Sequence, residues 1–124
     1  MKKEERLIRK INDLKIQLKN FSICDADEEA KETVRLVKKR YKLKQEIANT
    51  DKDDIIGEAH IFDLEEMIDE INIKLRSLIQ NETNKYYYDK VENLIKKIEN
   101  KQKELEDIKR KKERRNKKNL KIKN

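Results

Sequence analysis

Apolar residues step along this chain by threes and fours. Leu7, Ile11, Leu14, Leu18 and Phe21 advance by 4, 3, 4 and 3, which lines them up on one helical face as a heptad seam. Ile8 and Ile16 widen that stripe. The spacing predicts a helix over 2–21. Ser22 stands three residues before Asp25, and Asp25 three before Glu28. Both are helix-start signals, because a short side-chain oxygen can accept from an otherwise orphaned backbone N–H while an acid occupies the first turn.

A second helix is therefore expected over 25–49. Ala30, Val34, Val37 and Tyr41 form one stripe on it, and Leu36, Leu43 and Ile47 a second. Asp25, Asp27, Glu28 and Glu29 crowd its start, while Lys38, Lys39, Arg40, Lys42 and Lys44 occupy its later half. That order matches the helix dipole at both ends. Residues 49–54 are polar turn and cap formers and read as a linker.

The third segment, 55–79, is the most apolar. Ile61, Leu64, Ile68, Ile71, Leu75 and Leu78 again alternate threes and fours, with Met67, Ile73 and Ile79 on the flanks. Gly57 near its start costs roughly 1 kcal/mol relative to alanine inside a helix, so an irregular first turn is expected. Residues 80–84 are a second polar stretch. Beyond them Tyr87, Val91, Leu94, Ile98, Leu105 and Ile108 carry a seam over 85–108, with Lys101 in the vacant slot.

After residue 108 the apolar stripe stops. Ten of the sixteen residues in 109–124 are Lys or Arg, opposed only by Glu113, giving a formal +9 against +7 for the whole chain. Residues 1–108 then carry −2, from 23 basic and 25 acidic side chains. The expected division is a nearly neutral helical body, 1–108, and a basic solvated tail, 109–124. Lys109, Arg110, Lys111, Lys112, Arg114, Arg115, Lys117 and Lys118 are the candidate polyanion-binding residues. Such a cluster releases counterions from a phosphate backbone and binds it without sequence preference.

Composition narrows the fold. Charged residues make up 48% of the 124 and hydrophobic ones 35%, a balance that suits a slim helical object with a thin aliphatic core. Zero prolines and one glycine leave little for sheet turns. The expected class is all-α: an antiparallel three- or four-helix bundle, or a long helical hairpin folded about 49–54, with coiled-coil-like seams and a protruding basic C-terminal extension. Leu7, Ile11, Leu14, Leu18, Leu64, Ile68, Ile71, Leu75, Val91, Leu94 and Ile98 are the expected helix-pairing positions. No apolar run approaches 18 residues and the N-terminus lacks a signal-peptide core, so an intracellular, cytoplasmic protein is expected, or a nuclear one in a eukaryote.

The candidate chemistry is thin. His60 is the single histidine; Glu58, Asp63 and Glu66 stand near it, but a metal site needs three or four ligands, usually with more than one His or Cys. Cys24 has no cysteine to pair with, and the acids after it disfavour a thiolate. One glycine cannot build a phosphate loop, and His60 with Ser22 or Ser77 has no triad spacing. Tyr86, Tyr87 and Tyr88 beside Lys85 and Lys90 suggest a stacking platform, yet consecutive helical residues point about 100° apart. Tyr87 is expected to face the core and its neighbours the rim.

Size, a helix–linker–helix plan and the stretch Ile55, Ile56, Gly57, Glu58, Ala59, His60, Ile61 and Phe62 carry one resemblance. In these the chain is similar to β-type prefoldin subunits, which hold client chains between coiled-coil arms. The resemblance covers those eight residues plus the layout. It implies a strand hairpin near 55–62 and a chaperone-like role. Residues 49–54, all polar, and the interruption at 22–27 depart from that pattern.

The sequence thus points to a non-catalytic helical adaptor without cofactor, metal or small-molecule substrate. Its expected partners are a helical protein or a second copy of itself, and RNA, the ribosome or DNA at the tail. A membrane is disfavoured, since Leu120 and Ile122 offer little to bury. The alternatives are a prefoldin-like chaperone subunit and a pure protein–protein scaffold.

Overall fold

The structure, a computed structural model, describes residues 2–22 and 27–122, with side chains as far as Asn116. Its four α-helices are α1 (Lys2–Asn20), α2 (Glu28–Asn49), α3 (Ile55–Leu78) and α4 (Glu82–Ile122). There is no strand among the described residues. The chain divides into two compact helical units, one of 21–93 and one made of 1–20 with 94–124.

The 21–93 unit is built on an antiparallel pair. The short 50–54 connection turns α2 back along α3, so Glu46 meets His60 and, farther along, Arg40 meets Asn72. Ala30, Val34, Val37 and Tyr41 are buried on α2, as are Leu36 and Leu43 on its second stripe. Leu64, Ile68, Ile71 and Leu75 are buried on α3. The first three turns of α4 complete the unit alongside α2: Asn84 reaches Glu29, and Tyr88 and Glu92 reach Arg40. Both contacts advance in the same direction, so this part of α4 runs parallel to α2.

Two of the helix starts, those of α2 and α4, differ from expectation, while α3 begins at Ile55 as expected. Helix α2 begins at Glu28, after Asp27, rather than at 25; Cys24 and Asp25 lie outside the described residues. Helix α3 starts on Asp54, whose carboxylate accepts from the Ile56 N–H at 3.3 Å and whose carbonyl accepts from Glu58 N–H at 2.9 Å. Residues 55–62 are therefore the opening turns of a helix, not the hairpin that the prefoldin resemblance implies. Gly57 belongs to those regular turns. It is buried because the loop folds over it: a Cβ there would lie 2.0 Å from the Asp51 carbonyl oxygen.

Helix α4 starts at Glu82, three residues earlier than expected. Asn81 caps it, its Oδ1 accepting from the N–H groups of Thr83 at 2.9 Å and Asn84 at 3.3 Å. This satisfies donors that every helix start leaves orphaned. Asn84, expected in a linker, is buried; its Nδ2 donates to the Leu78 carbonyl at 2.9 Å and to Glu29 at 3.3 Å. One amide thus ties the end of α3 to the start of α2.

In the other unit α1 pairs with the later part of α4. Lys112 Nζ donates to Glu4 Oε2 at 2.8 Å, which fixes one end. From that contact an antiparallel α1 sets Leu18 near residue 98. Leu18 and Ile98 are both buried, as are Leu7, Ile11 and Ile95, while Leu14 and Leu94 are half-buried. Ile95 rather than Leu94 is the buried member of its pair, so the apolar line shifts by one residue after Val91. A straight α-helix turns by 3.6 residues, not 3.5, and drifts against a strict heptad in this way.

Candidate polyanion interface

Helix α4 does not end where its apolar stripe does. It continues through Ile122, and from Lys109 to Asn116 every side chain is exposed. Six of those eight residues are cationic: Lys109, Arg110, Lys111, Lys112, Arg114 and Arg115. At about 100° per residue they surround the helix on all sides over roughly 12 Å of its length. Lys117 and Lys118 stand on the same helix, with side chains outside the described residues.

Two of the six are engaged. Arg110 lies 4.0 Å from Glu106 one turn back, and Lys112 is held by Glu4. The hydrogen bond from Lys112, together with the nearby charges of Lys112, the N-terminus and Lys109, holds the Glu4 carboxyl below the ordinary range. Lys111, Arg114 and Arg115 make no ion pair among the described residues. They are the cations best placed to meet an external anion. An exposed cation repelled by like neighbours gains most from a polyanion, since each contact displaces a condensed counterion.

The tyrosines do not form a platform. Tyr86 is exposed and meets Tyr87 edge-on, with ring centroids 5.3 Å apart and planes at 75°. Lys90 Nζ lies 4.6 Å from the Tyr86 centroid. Tyr87 is only half-buried, and it is Tyr88 that turns inward to Arg40.

That arginine is the centre of a polar cluster that joins three helices. Arg40 donates from Nη1 to Asn72 Oδ1 at 2.8 Å, and from Nη2 to Tyr88 Oη at 3.0 Å and Glu92 Oε1 at 2.6 Å. It also lies 5.5 Å from the Tyr88 ring centroid. Burial opposes its charge, but the hydrogen bonds it donates to Tyr88 and Glu92 outweigh that and hold its pKa above the ordinary value. The cluster joins α2, α3 and α4. The sequence did carry its signal: Leu36, Arg40, Leu43 and Ile47 step by 4, 3 and 4, so Arg40 occupies a seam slot.

His60 is exposed, its Nε2 3.1 Å from Glu46 Oε1. The described residues contain no group of three or more His, Cys, Asp or Glu arranged to hold a metal ion, and no helix long and apolar enough to cross a membrane. An open groove on α2 is lined by Phe21, Ser22, Lys31, Val34, Arg35 and Lys38, and Lys38 donates there to the Phe21 carbonyl at 2.6 Å. The chain matches no protein-family model, no curated protein and no solved structure.

Proposed function

We propose that this protein is a non-catalytic helical adaptor whose basic extension, 109–124, holds a nucleic-acid phosphate backbone while the rest of the bundle serves assembly. The observation that supports this reading is the exposed cationic run of about two turns from Lys109 to Arg115, with Lys111, Arg114 and Arg115 outside any ion pair among the described residues. A helix ringed by cations, without an apolar stripe, suits a partner that presents charge on several sides. A nucleic-acid groove does so, and a flat membrane surface does not. Binding of this kind is independent of sequence and steeply salt-dependent.

The test is a titration of a fluorescent 20-nucleotide RNA and a 20-base-pair DNA duplex across a salt series. The triple substitution Lys111→Gln, Arg114→Gln and Arg115→Gln spares Lys112 and its bond to Glu4. Each lost phosphate contact removes roughly 0.7 to 0.9 from the log–log salt slope, so the triple variant should flatten it by about 2 to 3. Its thermal melting should match the parent. An unchanged slope with unchanged affinity refutes the assignment of these residues.

A further inference from the structure

Helix α3 carries a second seam on the side opposite its core. Ile55, Ala59, Phe62, Glu66, Asp69 and Ile73 step by 4, 3, 4, 3 and 4, and all are exposed. Phe62 is 60% and Ile73 66% exposed. The buried line of Leu64, Ile68, Ile71 and Leu75 lies about 180° around the same helix, at 100° per residue. A stripe with this spacing is built to meet another helix. Isolated apolar side chains on a surface are ordinary, but an aligned row with heptad spacing is not.

The charge on α3 states what that helix must be. The helix holds six acids (Glu58, Asp63, Glu65, Glu66, Asp69 and Glu70) against Lys74 and Arg76, a formal −4. Two copies of this face would repel each other. Helix α1 is its complement, with seven basic residues against three acidic ones, a formal +4. Its outward side presents Ile8 and Ile16, 44% and 56% exposed, around Arg9, Asn12 and Lys15, which are exposed as well. Apart from Tyr86, the large hydrophobics exposed among the described residues all lie on α1 and α3. The basic stretch 109–116 has charge of the right sign but no apolar residue, so it cannot cover Phe62 and Ile73.

We infer that the outer face of α3 docks the outer face of α1 from a second copy of this chain. Ile8 and Ile16 cover the Phe62–Ile73 row, and Arg9 and Lys15 face Glu66 and Asp69. The two surfaces differ, so the contact is heterologous, and successive copies can add one to the next unless the geometry closes.

Sedimentation velocity of the full chain over a concentration series tests this, with the helical content of every variant checked by circular dichroism. The parent should self-associate at low salt. E66K/D69K and R9E/K15E should each weaken self-association about tenfold or more, a difference of about 1.4 kcal/mol. An equimolar mixture of those two variants should associate again, since the reversed charges match across the contact. F62S should weaken association without changing its salt dependence, and the Lys111, Arg114, Arg115 triple variant should behave as the parent. A parent that stays monomeric throughout overturns the inference. So does a mixture of the charge-reversed variants that fails to associate while both remain helical, or loss of association in the triple variant.

Discussion

Gly57→Ala sets two physical effects against each other, and the structure decides between them. Alanine is favoured over glycine inside a helix by roughly 1 kcal/mol, because it restricts the unfolded chain more. Gly57 lies in a regular turn of α3, so helix propensity alone expects a more stable protein. The added Cβ, however, would stand 2.0 Å from the Asp51 carbonyl oxygen and 3.2 Å from its carbon. Ordinary contact begins near 3.4 Å, so the loop must retreat by about 1.4 Å. The obstacle is backbone, and the Asp54 cap bonds to Ile56 and Glu58 hold the adjoining turn in place. Overpacking of this kind costs about 1–3 kcal/mol, and a backbone obstacle puts it in the upper part of that range. The net expectation is destabilisation by about 1–2 kcal/mol, a melting decrease on the order of 5–10 °C for a unit of this size. Thermal melts and urea titrations followed by circular dichroism at 222 nm measure it. Ala59→Gly, at an exposed position in the same helix, is the control and should lose about 1 kcal/mol through propensity alone. If Gly57→Ala melts at or above the parent temperature, the loop does not lie over α3 and the argument is wrong.

Two further outcomes follow from the polar contacts. Arg40→Met removes the guanidinium but keeps much of its length, leaving Glu92 and Asn72 without their shared donor; a loss of about 1–3 kcal/mol in urea unfolding is expected, and a neutral result would mean the cluster is solvent-relaxed. The Glu4 carboxyl, held below its ordinary value by the Lys112 hydrogen bond, favours the folded state above the unfolded value of about 4.5. That contribution disappears as pH falls through the lower folded value. Side-chain NMR titration of Glu4 should show its midpoint rise in Lys112→Gln, and an unmoved midpoint would show that the pair does not form in solution.

Sequence periodicity carried the helices and much of their buried lines because burial on a helix obeys a period that side-chain identity reports directly. Leu64, Ile68, Ile71 and Leu75 could be read that way, and so could Leu7, Ile11 and Leu18. What escaped was polar. Arg40 fills a slot in an apolar seam and Glu92 lies beside one, and nothing local announces that Arg40 will find partners 32 to 52 residues away. Asn81 and Asn84 sit in a run of linker composition; only the turn between α3 and α4 makes one a cap and the other a buried tie. The shift from Leu94 to Ile95 was hidden for a different reason, since either residue fits a heptad and the choice depends on how the helix drifts. Of the basic stretch, the charge was legible at once. Its continuation of α4 and the bond from Lys112 to Glu4 were not, because no apolar stripe marks a solvated helix and an ion pair across 108 residues leaves no trace in spacing.

The unit that joins 1–20 with 94–124 has a consequence for the order in which the chain is made. The contiguous 21–93 unit can close while synthesis continues, but α1 must wait for its partner. Glu4 and Lys112 are 108 residues apart, which at about 5–20 residues per second is an interval of about 5 to 20 s. During that time Leu7, Ile11 and Leu18 have nothing to pack against, and a lone helix of 19 residues is only marginally stable in water. Helix α1 thus leaves the ribosome before the rest of its unit and is the last of that unit to find its place. A chain halted before Leu94 would present that apolar face in every copy, so whether synthesis reaches 94–124 governs whether Lys2–Asn20 becomes a buried seam or an aggregation hazard.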